Sequence, residues 1–254
     1  MAAIPPGRED FFNLDAYLLN ACINKNVKID FNVNATAEKV IAAVADGRFS
    51  RVVIATGAVP LEASFPIAEG ANVLQAWDVL KGSGGVKDEV VIVGGSSVGV
   101  GTALLMTQFG TLDNETLHFL YLQKAEPEAE LYRLATEGCK HITLVETERI
   151  GGDIGLTTRS SMLADLKRFK VNGMNNTKVL EVTKDGVIVE NAEGRKLIPA
   201  DTVILALGSA SNNELYQALK GKIAKLHVIG DAARPAKALN AIHMAYAEAA
   251  RISG

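Results

Sequence analysis

The residues of this 254-residue chain best suited to chemistry are six in a row, Gly94-Gly95-Ser96-Ser97-Val98-Gly99, directly after the apolar run Val90–Val93. A strand that enters a helix through a glycine-rich turn makes an anion site. The first N–H groups of the helix lack partners, its start carries partial positive charge, and glycines let a diphosphate come close. The dinucleotide fingerprint at such a turn is G-x-G-x-x-G. Here the first and third glycines stand and Ser96 replaces the middle one. Either its Cβ crowds the phosphate or its hydroxyl donates to it, and the sequence leaves both open. The reading needs those amides to be open to a ligand.

A second feature strengthens it. His141–Val145 reads as a buried strand that ends in an acid, Glu146, followed by Thr147 and Arg149. A carboxylate at that strand end accepts hydrogen bonds from a ribose diol and repels a 2′-phosphate, which favours NADH over NADPH. Arg149 works the other way, since a nearby arginine admits the 2′-phosphate. From Gly99 to Glu146 is 146 − 99 = 47 positions, against about 20 in the usual unit. Residues 112–137 fill the gap as a helical excursion broken at Pro127, read as packing or subunit contact rather than chemistry. A plain βα turn and a solvated strand-end acid are the competing readings.

No catalytic constellation accompanies the turn. His118, His141, His227 and His243 are scattered and read as surface or packing residues. Cys22 and Cys139 are far apart, so neither a zinc site nor a dithiol motif is written here, and both read as buried, reduced thiols. No metal site is expected.

These residues need strands and helices to place them. Helices are expected over 11–22, 37–45, 100–109, 160–169 and 239–251. Strands are expected over 28–33, 51–57 with its terminal glycine turn, 90–93, 141–145, 202–206 and 226–229, with a hairpin of 179–183 and 187–190 around Asp185-Gly186. Residues 58–85, rich in proline and glycine, read as a connector. Alternating strands and helices imply an α/β fold with a mainly parallel sheet flanked by helices. The net charge of −3 and the lack of a Lys/Arg cluster exclude a nucleic-acid surface. The apolar stretch 90–105 is too short and glycine-broken to span a bilayer. The N-terminus has no signal-peptide run, so a cytoplasmic location is the default expectation.

The motifs also follow a fixed order: Ala55-Thr56-Gly57, the turn at 94–99, Glu146, Ala206-Leu207-Gly208, and Val228-Ile229-Gly230-Asp231. That order resembles, over nearly the whole chain, the C-terminal two-dinucleotide region of the Old Yellow Enzyme-like NADH:flavin oxidoreductases, and the core of the pyridine nucleotide-disulfide oxidoreductases. The resemblance implies a Rossmann-like NAD(H)-binding domain, residues 86–208, inserted into a partial FAD-type domain made of 1–85 and a return segment, 209–254. It implies NADH bound at Gly94, Gly95, Ser96, Ser97, Val98, Gly99, Glu146, Thr147, Arg149 and Gly208. Gly57 and Asp231 would belong to the outer, flavin side. It also implies FAD in the full-length protein but not in this chain alone, because the outer domain's own glycine fingerprint would precede Ala2. The flavin-bearing remainder, a TIM barrel and an FAD half-domain, would be the partner, and exposed apolar surface would favour a homo-oligomer. Many of the relatives carry a glutamate near the nicotinamide where this chain has Gly101, a departure that counts against hydride transfer. A degenerate Rossmann scaffold or subunit-contact module that binds no cofactor is the alternative, and an ADP-type ligand without redox turnover is a third reading.

Overall fold

A computed structural model describes residues 3–253; Met1, Ala2 and Gly254 lie outside the described residues. The chain opens with helices α1 (Asp10–Asn24) and α2 (Ala37–Ala45), then the short strands β1 (Val52–Ile54), β2 (Ala58–Pro60) and β3 (Val73–Gln75) and helix α3 (Ala76–Leu80). Strand β4 (Glu89–Val93) runs into α4 (Ser97–Thr107), and two further helices, α5 (Asn114–Gln123) and α6 (Glu128–Thr136), precede β5 (His141–Val145). Next come α7 (Leu156–Arg168), β6 (Asn172–Met174), β7 (Lys178–Val182), β8 (Gly186–Asn191), β9 (Gly194–Pro199) and β10 (Thr202–Leu205). The chain closes with β11 (Ser209–Ser211), α8 (Glu214–Leu219), β12 (Leu226–Val228), a 3-10 turn Gly230–Ala232 and α9 (Ala238–Ser253).

The chain divides into two units, one of residues 1–21 and 62–208, the other of 22–61 and 209–254. The first holds a five-stranded parallel sheet in the order β3-β10-β4-β5-β6. A strand covered on one face alternates apolar with polar residues, whereas the central strand β4 is apolar throughout from Val90 to Val93. All four of these residues are buried, as a strand covered on both faces requires. Val90 and Ile92 face one core, shared with Leu144 and Ile204 of the neighbouring strands and with Val100, Ala103, Met162 and Leu166 of α4 and α7. Val91 and Val93 face the opposite core, with Val179, Val182, Val187 and Val189 of the three-stranded antiparallel sheet β7-β8-β9. The expected Rossmann-like architecture is present.

In the second unit β1 pairs in parallel with β12, and β2 antiparallel with β11. Ile54, Leu219, Ile223 and Ala232 form its small core, on which Val40, Ile41 and Val44 of α2 pack. Helix α2 begins where Thr36 accepts a hydrogen bond from the Lys39 amide at 3.4 Å.

Several expectations change. No strand forms over 28–33; Phe31 and Val33 are exposed there, and Asn32 turns the backbone into the left-handed region. The connector 58–85 contains β2, β3 and α3, and β3 is an edge of the main sheet. The excursion 112–137 is two helices: Asp113 caps the first through Thr116 N at 2.8 Å, and Pro127 begins the second. The two cysteines are free, but Cys139 is exposed and Cys22 only half-buried. Among the described residues no helix is long and apolar enough to cross a membrane.

Candidate functional site

Register places the site. Val93 of β4 stands beside Val145 of β5 on one side and Leu205 of β10 on the other. The residues that follow these three strands, Gly94, Glu146 and Ala206, therefore meet at one end of the sheet, where the chain passes from β4 to β5 on one side and returns later as β10 on the other. Open α/β sheets bind ligands at such a switch point, beyond the carboxyl ends of the strands.

The fingerprint glycines are required by close packing. Gly94 has φ +105°, and a Cβ there would lie 2.3 Å from the Ala206 carbonyl oxygen. A Cβ on Gly99 would lie 1.8 Å from the Gly94 oxygen, so only glycine lets α4 approach the end of β4. Ser96 is the helix N-cap with an ordinary extended backbone, φ −68° and ψ −179°, which any residue adopts. Serine in place of the middle glycine therefore strains nothing, and its side chain makes no capping bond.

Two carboxylates from the β5–α7 segment hold the turn. Glu146 Oε2 accepts the Gly95 amide at 2.6 Å, and Oε1 accepts the Glu148 amide at 3.1 Å. Asp153 accepts the Ser97 amide through both oxygens, at 3.0 and 3.1 Å. The Gly94 amide goes to the Val145 carbonyl at 2.8 Å, and Gly151 donates to the Gly95 carbonyl at 2.7 Å. Part of the donor set expected for a diphosphate is thus already engaged by the protein's own groups.

A cavity of about 340 Å³ opens over this arrangement. Gly94, Ser96, Glu146, Thr147 and Gly208 line it, so the structure gathers these five expected residues around one space. Ser97 sits at the helix start beneath Asp153, and Val98 packs half-buried against the helix-side core. Arg149 is not in this group. It lines a different cavity of about 410 Å³, with Lys167 and Lys170 beside α7 and β6. We take the smaller cavity as the site, because it lies at the strand ends and over the glycine turn. In the other unit, Gly57 follows β1, and its carbonyl accepts the Asn212 amide at 3.0 Å. Asp231 sits in the 3-10 turn, where its Oδ1 accepts the Ala236 amide at 3.1 Å.

Sequence reasoning missed Asp153, and also Thr177, Lys178 and Val179 on the cavity wall. The signal for Asp153 was present: Gly151-Gly152-Asp153 follows the acid-ended strand within eight residues of Glu146.

The carboxylate of Glu146 fits a ribose. Its two oxygens carry about four acceptor positions and use one each on backbone amides, which leaves capacity for a diol. At the start of α4 the Ser97 amide, one of the donors a phosphate would use, is held by Asp153.

The fold is that of a Rossmann-type nucleotide-binding domain. The chain matches the pyridine nucleotide-disulphide oxidoreductase family over residues 16–245 and belongs to that family, which implies FAD and NAD(P) binding among its members. The expected resemblance is borne out. The chain is 56% identical over 250 residues to a "Metal reductase" of Desulforamulus reducens, covering 98% of this chain and 37% of that protein. It is 30% identical over 249 residues to an "NADH oxidase" of Thermoanaerobacter brockii, covering 95% of this chain and 33% of that protein. Among solved structures it is similar to a 2-naphthoyl-CoA reductase complex, with TM-score 0.78 and 24% identity over 96% of this chain and 33% of that one. The chain thus spans about a third of the length of these relatives.

Proposed function

We propose that this chain binds NADH in the cavity at the ends of β4, β5 and β10, and presents it to a flavin held by a longer polypeptide. When bound, NADH supplies a hydride and the flavin accepts it. The chain's own part is placement. Glu146 takes the adenosine ribose hydroxyls, the start of α4 takes the diphosphate, and Ser96, Thr147 and Gly208 shape the cavity wall. No acid or base is required of it, in keeping with a site built from glycines, hydroxyls and one ribose-facing carboxylate.

The observation that carries this reading is Glu146: its carboxylate is tied to the Gly95 amide at 2.6 Å, on the wall of the cavity. A negative charge there favours NADH over NADPH, and Arg149, facing the other cavity, does not offset it. The name of the Thermoanaerobacter relative supports the same cofactor. The name of the Desulforamulus relative makes a metal ion a candidate electron acceptor for the longer protein. In this reading residues 86–208 are the NAD(H) domain, and 1–85 with 209–254 are parts of an FAD-type domain to which Gly57 and Asp231 belong.

Calorimetric titration with NADH and NADPH tests it. NADH is expected to bind with Kd below about 1 mM and NADPH more weakly. Glu146→Gln is expected to weaken NADH roughly tenfold, the scale of a hydrogen bond to a charged group, and to narrow the gap to NADPH. A second reading, a scaffold that binds no cofactor, draws on the engaged amides of Gly95 and Ser97. Absence of NADH binding at millimolar concentration would decide for it.

A further inference from the structure

We propose that Asp153 is a built-in anion of the nucleotide site: it competes with a ligand's diphosphate for the start of α4, and so sets the affinity and anion selectivity of the turn. This deepens the NADH reading above and rests on it.

Three observations lead here. Both Asp153 oxygens converge on one amide, that of Ser97, from a residue 56 positions away. Ser96, which holds the N-cap position, contributes no side-chain cap, so the charge that balances this helix start comes from Asp153. The same start opens on the 340 Å³ cavity through Gly94 and Ser96. An anion on that amide and a diphosphate beside Ser96 claim the same partial positive charge.

The segment is arranged so that the side chain can leave without the loop unfolding. Ile150 and Ile154 are buried on either side, and Gly151 is tied to the Gly95 carbonyl at 2.7 Å. Gly152 and Asp153 between them are exposed. Rotation of one exposed side chain releases the Ser97 amide, while the anchors keep Glu146 and the cavity wall in place. A ligand without phosphate has no reason to displace Asp153. A ligand with a diphosphate must displace it or lie against its charge.

The test compares ADP, NADH and adenosine on the 254-residue chain and its Asp153→Asn variant by calorimetry at low salt. Removal of the charge is expected to tighten ADP and NADH by about twofold to fivefold, the span of an exposed charge at a helix start, and to leave adenosine unchanged. Raising the salt should shrink the gain. Asp153→Ser, which keeps a neutral capping oxygen, is the second variant and should show the same selectivity should the first fold poorly by circular dichroism. Wild type that binds ADP as tightly as both variants, or more tightly, overturns the role of Asp153 and leaves the nucleotide reading standing. Equal tightening for adenosine and ADP overturns it too, because a structural change in the loop would act on both. Binding of NADH by neither wild type nor variants overturns the nucleotide reading and this inference with it.

Discussion

The sheet that carries β4 and the pair formed by β1 and β12 are built from the same sequence pattern and reach different degrees of burial. Both are short apolar parallel strands that end in glycine turns. In β4 every residue from Val90 to Val93 is buried, because strands flank it on both sides and separate layers cover both faces. In β1 Ile54 is 4% exposed but Val53 is 40% exposed, and among the described residues β12 is its only pairing strand. Parallel strands are stable when both faces are covered. An apolar run therefore marks a strand but does not say how many layers enclose it.

Mutation can break or sharpen that contrast, and the largest effect is expected in the main sheet. Leu144→Ala removes a side chain with no exposure from the centre of the helix-side core. It should cost about 4 kcal/mol, toward the upper part of the range for such truncations. Val53→Ala in β1 should change stability by about 0.5 kcal/mol or less. Urea unfolding of both variants measures the difference. Equal costs would mean that the outer face of β1 is covered after all.

The two glycine turns differ in the same way. At Gly99 an added Cβ meets the Gly94 oxygen at 1.8 Å, so Gly99→Ala should cost about 3 kcal/mol, the upper end for forced overpacking. It should also abolish nucleotide binding at the turn. At Gly57, with φ +75°, nothing lies within 4 Å of an added Cβ, so Gly57→Ala faces only the left-handed backbone cost of about 1 kcal/mol. A Gly99→Ala protein as stable as wild type would show that α4 can back away from β4, and that the fingerprint glycine is not set by packing.

How far the sequence disclosed this molecule follows from the same physics. Strands β4 and β10 were legible because burial on both faces leaves continuous apolar runs, and β5 because its mostly apolar run, like theirs, stops close to a glycine or an acid. Edge strands β3 and β6 were not: Val73-Leu74-Gln75 and Asn172-Gly173-Met174 are three residues each and carry no alternation. Lys28–Val33 alternates as a strand should, yet finds no neighbour to pair with, and alternation without a partner makes no strand. At the site, Glu146 was legible because strand end and acid are adjacent. Asp153 stood in view close after Glu146, but its pairing was not legible, because its partner, Ser97, is 56 positions away and only the fold brings them together. Arg149 is three residues from Glu146 in sequence but opens on another cavity.

The smallest effect separates two histidine–carboxylate pairs. In the second unit His227 Nδ1 lies 2.6 Å from Glu248 Oε1 with both side chains largely buried, but the two atoms are out of hydrogen-bond alignment and His227 Nε2 has no partner among the described residues. In the main sheet His141 Nδ1 meets Glu89 Oε1 at 2.7 Å, at the start of β5 and β4, with the histidine side chain 74% exposed. The hydrogen bond to Glu89, and then the charges of Glu89 and Asp88, raise the His141 pKa above its ordinary 6.5. A raised histidine pKa adds stability in full below the unfolded value, and that stability is lost as pH rises through the higher value in the folded protein. Solvent screening at so exposed a site keeps the contribution small and sensitive to salt. Glu89→Gln should therefore move the His141 midpoint, followed by proton NMR, down toward 6.5 while leaving the urea midpoint at neutral pH nearly unchanged. A midpoint that stays raised in the variant would assign the shift to Asp88 instead.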